Sequence, residues 1–527
     1  MAPGTGTELK AAVGRFYRWT TGAPLPWALV QLPHMRYIAG MKKLPKTPAA
    51  RCLFALLLLS ALLCWQACSP SHVAGSNPEK HSKDPLMQFT EDSLLRQPGL
   101  LPAQVGICLY DPAKAATLFD YQGDKYFMPA SNTKLFSLYA GLKYLGDSLV
   151  GMRYWVTDTA LFVLASGDPT LLHPSYPDQP VIRFLQAAHR PVYLCDYNWQ
   201  DQPFGRGWAW DDYNDDYMPE RSAFPVYGNL IRWIYDTTSA SFYSIPDIDW
   251  PVRFSPDSSK QGFSVRRDVH NNAFEITEGK GRVREQDVPF ITEGSVSATL
   301  LLKDTVGKTV GIRGRLPQAG GVSGGAGNIS SGASGGSVSS AWSMGGHAAF
   351  PGFSVLHSRP VDSLFRPMMY NSDNFFAEQT LLMVSNELLG KMNDTRIIDT
   401  LLGGDLRGLP QRPIWVDGCG LSRNDLFTPR DFVWLLDTMQ KSFGLARLKG
   451  ILPTGGTGTL ASYYHDDVGF IYAKTGSLSG VVALSGYLIT KKNHLLLFSI
   501  LINNYIGSGV TVRRQMEKWI HRVRDTY

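Results

Sequence analysis

Three β-rich runs in succession, at 470–475, 481–489 and 494–503, lead into an amphipathic helix over 510–524, and this ending limits what the 527-residue chain can fold into. The polar turn Thr490-Lys-Lys-Asn493 joins the second run to the third. Nearer the front, Val105, Ile107 and Leu109 alternate, Asp111-Pro-Ala-Lys114 turns the chain, and residues 117–121 return, which predicts a hairpin. Beyond Pro129 the period changes: Leu135, Leu138, Leu142 and Leu145 fall at i, i+3, i+7 and i+10, a helix that Gly146 and Asp147 end. Helical spacing returns at 375–389.

Between these parts, residues 154–340 have another texture: short β-like runs, Pro and Gly punctuation, and the aromatic, acidic stretch WAWDDYNDDY at 208–217. The Gly/Ser-rich stretch 318–340 reads as a loop or domain junction. The length predicts two or three domains, and 44% hydrophobic with 12% aromatic residues is a globular composition. A net charge of +6 with no gathering of basic residues on one element argues against a nucleic-acid partner.

The first strand-forming residues lie behind a segment of different character. A basic stretch at 41–51 precedes an apolar core at 52–64 too short for a stable membrane span, then Trp65-Gln-Ala-Cys68. That is an export signal, and it resembles a bacterial lipoprotein signal in which Cys68 becomes the lipidated first residue, with Trp65 a departure from the usual aliphatic residue. The expected division is upstream sequence from a misassigned start at 1–40, with Met41 the true first residue, then a signal at 41–67 and a tether at 68–85. Cys108, Cys195 and Cys419 remain in the body, too few for a disulfide scaffold, with one bridge plus one free thiol left open.

The chemistry begins at MPASNTKLF, 128–136, where Ser131 and Lys134 stand three residues apart at the start of the predicted helix and share one face. A serine hydroxyl is overwhelmingly protonated near neutral pH, so it needs a base; an enclosed lysine near other cations and the positive helix end can lose its proton and serve as one. Ser-x-x-Lys arises by chance about once or twice in a chain this long, and a surface lysine after an N-capping serine is the bland reading. It occurs once here. Lys474-Thr-Gly476, also found once, ends the apolar run 470–473 and offers charge and hydroxyl to a carboxylate, with Gly476 letting a ligand approach the backbone. Ser-x-Asn occurs at Ser372-Asp-Asn374, heading a helical stretch, and at Ser422-Arg-Asn424 in a turn-rich one; the first is the better candidate.

In order, SNTK, SDN and KTG resemble the penicillin-binding and serine β-lactamase superfamily. The 237 residues between Lys134 and Ser372 narrow the resemblance to the peptidase S13 family, the class C low-molecular-mass penicillin-binding proteins of the D-alanyl-D-alanine carboxypeptidase/endopeptidase type, which carry extra domains at that point. SGDPTL at 166–171, PERSAFPVYGN at 219–229, VDGCGLSRND at 416–425 and LPTGGTGTL at 452–460 extend it, although the family usually has serine where Cys419 stands.

The resemblance implies an α+β penicillin-binding domain, an antiparallel sheet flanked by helices, from 86–153 plus 341–527, with one or two smaller β-rich domains inserted at 154–340. Ser131 would attack the bond between two terminal D-alanines, Lys134 would be its base, Ser372 would relay a proton to the leaving amine, and Asn374 would hold the substrate amide. Lys474 and Thr475 would bind the terminal carboxylate, and the backbone N–H groups of Ser131 and Ser477 would form the oxyanion hole. No metal or organic cofactor is implied. The expected partners are peptidoglycan peptides, β-lactams as inhibitors, and a membrane through the lipid, in the periplasm; the oligomeric state stays open. For an endopeptidase, Asp211 or Asp212 and Arg423 are candidates to seat a diamino-acid side chain.

Other chemistries are less well supported. Gly-x-Ser-x-Gly occurs at 321–325 and 332–336, but without the strand and helix of a nucleophile elbow. A β-lactamase would need a deacylation motif such as Glu-x-x-x-Asn between SDN and KTG, and none stands out. A non-catalytic wall-binding module would be marked by loss of Ser131 or Lys134, and both are present.

Overall fold

Alternation of apolar residues along the strands decides how this molecule is layered. The structure, a computed structural model, describes residues 84–256, 262–279, 284–314 and 352–527. The expectations for 1–67, Cys68, nearly all of the tether and the two Gly-x-Ser-x-Gly stretches lie outside the described residues. The elements that frame the site are β1 (Gln104–Asp111), β2 (Ala116–Tyr121), α1 (Lys134–Tyr144), α2 (Asn374–Leu389), α3 (Pro429–Phe443), β3 (Ile471–Leu478), β4 (Val481–Ile489), β5 (Leu495–Asn503) and α4 (Gly509–Thr526). Five strands make one sheet in the order β3-β4-β5-β1-β2, every neighbour antiparallel.

Because successive strand residues face opposite sides, the central strands are apolar on both. Val105, Ile107, Leu109, Val482, Leu484, Phe498, Ile500 and Ile502 pack toward Val512, Met516, Trp519 and Ile520 of α4. Ala483, Tyr487, Leu497 and Leu501 pack toward α1, α2 and α3 on the other side. Helices therefore cover both faces, the α+β layering expected. The helix ends follow local chemistry: the Asp373 side chain accepts from Phe376 N at the start of α2, and Gly390, left-handed at φ 66°, closes it. Thr428 and Asp431 form a capping box on α3, with Pro429 in its first turn.

Residues from Met152 to Val310 build a second core. Val310–Ile312, Val192–Cys195, Leu161–Leu164, Ser148–Val156 and Ser354–Pro360 form a mixed five-stranded sheet in that order, and two three-stranded sheets follow within 230–289. Helices Pro180–Ala187 and Val296–Val306 pack into the same core, as do Leu382 and Met392 from the α2 region. Ser148–Val156 runs across the expected junction at 153/154 and pairs antiparallel with Ser354–Pro360, so one strand pair carries the chain into and out of the insertion. No helix among the described residues is long and apolar enough to cross a membrane.

Candidate active site

Ser131 sits in the 3₁₀ turn Ala130–Thr133, which runs directly into α1 at Lys134. In a 3₁₀ turn residues three apart eclipse, which aims Lys134 back at Ser131: Nζ lies 2.9 Å from Oγ. Ala130 holds a left-handed φ of 48°, a conformation a side chain rarely adopts and one that the surroundings impose. Thr133 Oγ1 donates to the Ala130 carbonyl at 3.0 Å, Asn132 donates to Ser485 Oγ on β4 at 3.0 Å, and Met128 exchanges two hydrogen bonds with Asn503 of β5. The turn that carries Ser131 is thus fastened to two strands.

Lys134 is fully buried, and its amine has two further neighbours, Asn374 Oδ1 at 2.6 Å and the Cys419 carbonyl at 2.8 Å. Neither can donate. Asn374 is held in that orientation because its Nδ2 donates to the Tyr217 carbonyl at 2.9 Å. Burial pushes the Lys134 ammonium below its ordinary pKa, offset in part by the acidic groups of Cys419, Asp417, Asp373 and Glu378. A neutral amine spends its two N–H groups on the two oxygens and turns its lone pair to the Ser131 hydroxyl. That is the geometry of a base.

Ser372 and Lys474 form a second pair. Lys474 Nζ donates to Ser372 Oγ at 2.9 Å and to the Thr475 carbonyl at 2.8 Å, and burial, then the charge of Lys134, push it well below its usual pKa. Ser372, like Ala130, is left-handed, with φ 60°. Asn374, expected to hold a substrate amide, accepts from Lys134 and donates to the Tyr217 carbonyl, which leaves its second N–H and second lone pair. A Cβ on Gly476 would lie 2.6 Å from the Pro129 carbonyl, so the glycine lets β3 approach the turn that carries Ser131. β3 is the edge strand, with Thr475 half-buried and Ser477 exposed.

Sequence reasoning left the loop 417–422 without a role. The buried Asp417 carboxylate accepts from the backbone N–H groups of Gly420 at 2.6 Å, Ser422 at 2.7 Å and Cys419 at 3.2 Å, and from the Trp208 indole at 2.9 Å. This turns the Cys419 carbonyl onto Lys134. Gly420 has φ 85° and a Cβ would meet the Ala130 carbonyl at 1.9 Å, so the loop closes on the nucleophile turn only with glycine there. Cys419 itself is fully buried and free, as are Cys108 and Cys195 in their own surroundings, so no bridge joins them. Among the described residues Glu378, Asp417 and Cys419 form one cluster close enough to share a cation, but Asp417 is already occupied by four N–H donors.

The remaining candidates, Arg423, Asp211 and Asp212, make no hydrogen bond to this cluster among the described residues. Arg423 is exposed and donates to the Ser479 carbonyl at 3.3 Å; Ser422 and Asn424 form a separate turn, against which Gly207 of the insertion packs. Asp211 and Asp212 lie in the 3₁₀ turn Trp210–Asp212, while the acids lining the neighbouring cavity of about 390 Å³ are Asp215, Asp216, Glu285 and Asp287.

The layering of this sheet between helices, with a serine–lysine pair beside its edge strand, is a fold shared with a penicillin binding protein. The model of the D-Ala-D-Ala carboxypeptidase 3 (S13) family matches residues 88–261 and 347–523, and the chain belongs to that family. It is 27% identical over 458 residues to the D-alanyl-D-alanine carboxypeptidase of Actinomadura sp. (strain R39), covering 79% of this chain and 80% of the relative. The crystal structure of penicillin binding protein 4 (dacB) from Haemophilus influenzae superposes with a TM-score of 0.62 at 18% identity, over 84% of this chain and 98% of that one. The same protein complexed with a novel β-lactam superposes at 0.58 and 16% identity, with the same coverage.

Proposed function

We propose that this protein is a serine D-Ala-D-Ala carboxypeptidase acting on peptidoglycan stem peptides, and that it is acylated by β-lactams. The observation that carries the reading is the Lys134 amine, buried, with two acceptors to hold its N–H groups and Ser131 Oγ at 2.9 Å for its lone pair. Ser131 Oγ bonds to the carbonyl carbon of the penultimate D-alanine as its proton passes to Lys134. The tetrahedral oxyanion is held by the N–H groups of Ser131 and Ser477, at about 3 kcal/mol each. The C–N bond then breaks, the proton returns through Ser372 to the leaving D-alanine nitrogen, and water hydrolyses the ester to free Ser131. The named activity of the Actinomadura relative supports this assignment.

The test is fluorescent-penicillin labelling of wild type and Ser131→Ala, followed by a pentapeptide ending in D-Ala-D-Ala and a cross-linked muropeptide. We expect labelling and D-alanine release from wild type and neither from Ser131→Ala; unlabelled wild type would overturn the reading. Cleavage of the cross-link as well would extend the activity to an endopeptidase, with Asp211, Asp212 and Arg423 as the candidates.

The reading extends to where the enzyme works. Residues 86–153 with 341–527 are the proposed catalytic domain and 154–340 the insertion, exported behind the signal at 41–67 and held at a membrane in the periplasm through lipid on Cys68. The basic stretch, apolar core and cysteine of that signal support this. Cys68→Ala is expected to abolish incorporation of labelled palmitate and move the protein from the membrane to the soluble fraction; unchanged membrane retention would remove the lipid from the account.

A further inference from the structure

The row of residues along β3 divides the two groups expected to hold the substrate's terminal carboxylate. Alternation puts Tyr472, Lys474 and Gly476 on the side of α1 and α2, where Lys474 is spent on Ser372 and its own strand's carbonyl. Ile471 and Ala473 face α4, and Thr475 and Ser477 continue that row. A carboxylate seated on these two hydroxyls therefore lies on the face of the edge strand opposite the Lys474 side chain, and a cation on its own side must come from elsewhere.

One is there. Arg513, in the second turn of α4, donates from Nη2 to Ser477 Oγ at 2.6 Å, and it lines a shallow cleft with Thr475, Tyr463 and Tyr464. Among the described residues no carboxylate pairs with it; the nearby Glu517 is taken by Arg514 and the Tyr464 N–H. A guanidinium whose partner is a neutral hydroxyl on a substrate-binding strand has most of its fork of donors left for a ligand. The burial that pushes Lys474 toward its neutral form strengthens the need for a permanent charge.

We propose that Arg513 is a specificity-determining residue that, with Ser477 and Thr475, receives the free carboxylate of a peptide's last residue. This rests on the carboxypeptidase reading above. It makes a carboxylate-terminated peptide, rather than an ester or amide, the preferred acyl donor, because a charge-assisted, two-pronged contact replaces one to a hydroxyl.

The test uses the full chain and two probes that differ only in that charge, benzylpenicillin and its methyl ester, with the Ser131 adduct followed by intact mass. Arg513→Gln is expected to slow acylation by the acid about 10- to 100-fold, the worth of one charge-assisted contact, while the ester rate changes less than about 3-fold. Arg513→Lys should recover most of the loss. On diacetyl-lysyl-D-alanyl-D-alanine the Gln variant should raise KM with little change in kcat, since the contact exists before and during the reaction. An active wild type whose acid-to-ester ratio is unchanged by Arg513→Gln overturns this inference alone; a wild type that neither acquires the adduct nor releases D-alanine overturns the reading of the site, and this with it.

Discussion

Replacing Lys134 by alanine is expected to slow acylation of Ser131 about 10²- to 10⁴-fold, the scale of removing a positioned general base, in a protein that still folds. Folding survives because two effects oppose each other. The variant leaves Asn374 Oδ1 and the Cys419 carbonyl without their donor, about 1–3 kcal/mol each, but it also removes an amine that burial penalises whenever it is charged. The pH dependence carries the sign. Only the neutral amine has a lone pair, so wild-type acylation should rise with pH through the Lys134 pKa, which lies below the ordinary lysine value, and the alanine variant should lack that limb. For stability, the unfolded chain binds the proton that folded Lys134 gives up, so wild-type stability falls as pH drops between the two pKa values and the variant is spared that loss. Mass-resolved acylation rates and denaturant midpoints across pH measure both. Normal acylation of Lys134→Ala near neutral pH would exclude lysine as the base.

The same residues mark how far the chain could be read without coordinates. Strands 481–489 and 495–503 were legible because they are apolar on both faces, and α1 because its leucines keep helical spacing on a run closed by Gly146. Ser131, Lys134, Ser372, Asn374 and Lys474 were legible as short motifs whose members keep fixed local offsets. What was not legible depends on contacts between distant residues. Trp208 and Asp417 are 209 positions apart, and nothing local distinguishes Asp417-Gly-Cys-Gly from an ordinary turn, yet that carboxylate aims the Cys419 carbonyl at the base. Tyr217 acts through its backbone carbonyl, which its side chain does not announce. Strand alternation sets neighbours that the tripeptide did not announce: Gly476 faces the turn that carries Ser131, and Lys474 bonds Ser372.

These contacts give the insertion a part in the site. Its Tyr217 bonds Asn374, which bonds Lys134, and its Trp208 bonds Asp417, which holds the backbone of Cys419, whose carbonyl bonds Lys134. Stretches 208–217 and 219–229 are therefore not peripheral decoration, and the second of them carries Arg221, which forms a buried ion-pair network with Asp201, Glu378 and Asp394.

Arg221→Met is expected to destabilise the protein by about 3–5 kcal/mol at neutral pH, the cost of stripping the partner from a buried charge. Arg221 is 1% exposed and bonds Asp201 at 2.9 Å within the insertion, and Glu378 of α2 at 3.1 Å and Asp394 at 2.7 Å beyond it. One guanidinium thus ties three buried carboxylates from three segments. Burial, with Asp417 beside it, raises the Glu378 carboxyl to about 8 despite Arg221, and removing Arg221 moves it further up. A carboxyl whose folded pKa is raised binds more protons folded than unfolded, so stability falls as pH rises between the unfolded and folded values; through Glu378 the penalty of Arg221→Met should be level up to about pH 8, where both proteins lose stability alike, and grow above it, where only the variant still holds the proton. Arg232→Met, which breaks a part-exposed pair with Asp287, is the matched control and should cost no more than about 1 kcal/mol. Glu378 lies one turn along α2 from Asn374, and its carboxyl approaches Asp417, so the Arg221 variant should also acylate more slowly while Arg232→Met does not. Stabilities of the two variants that agree within about 1 kcal/mol would show that Arg221 is not what holds Asp201 against the helix bearing Asn374.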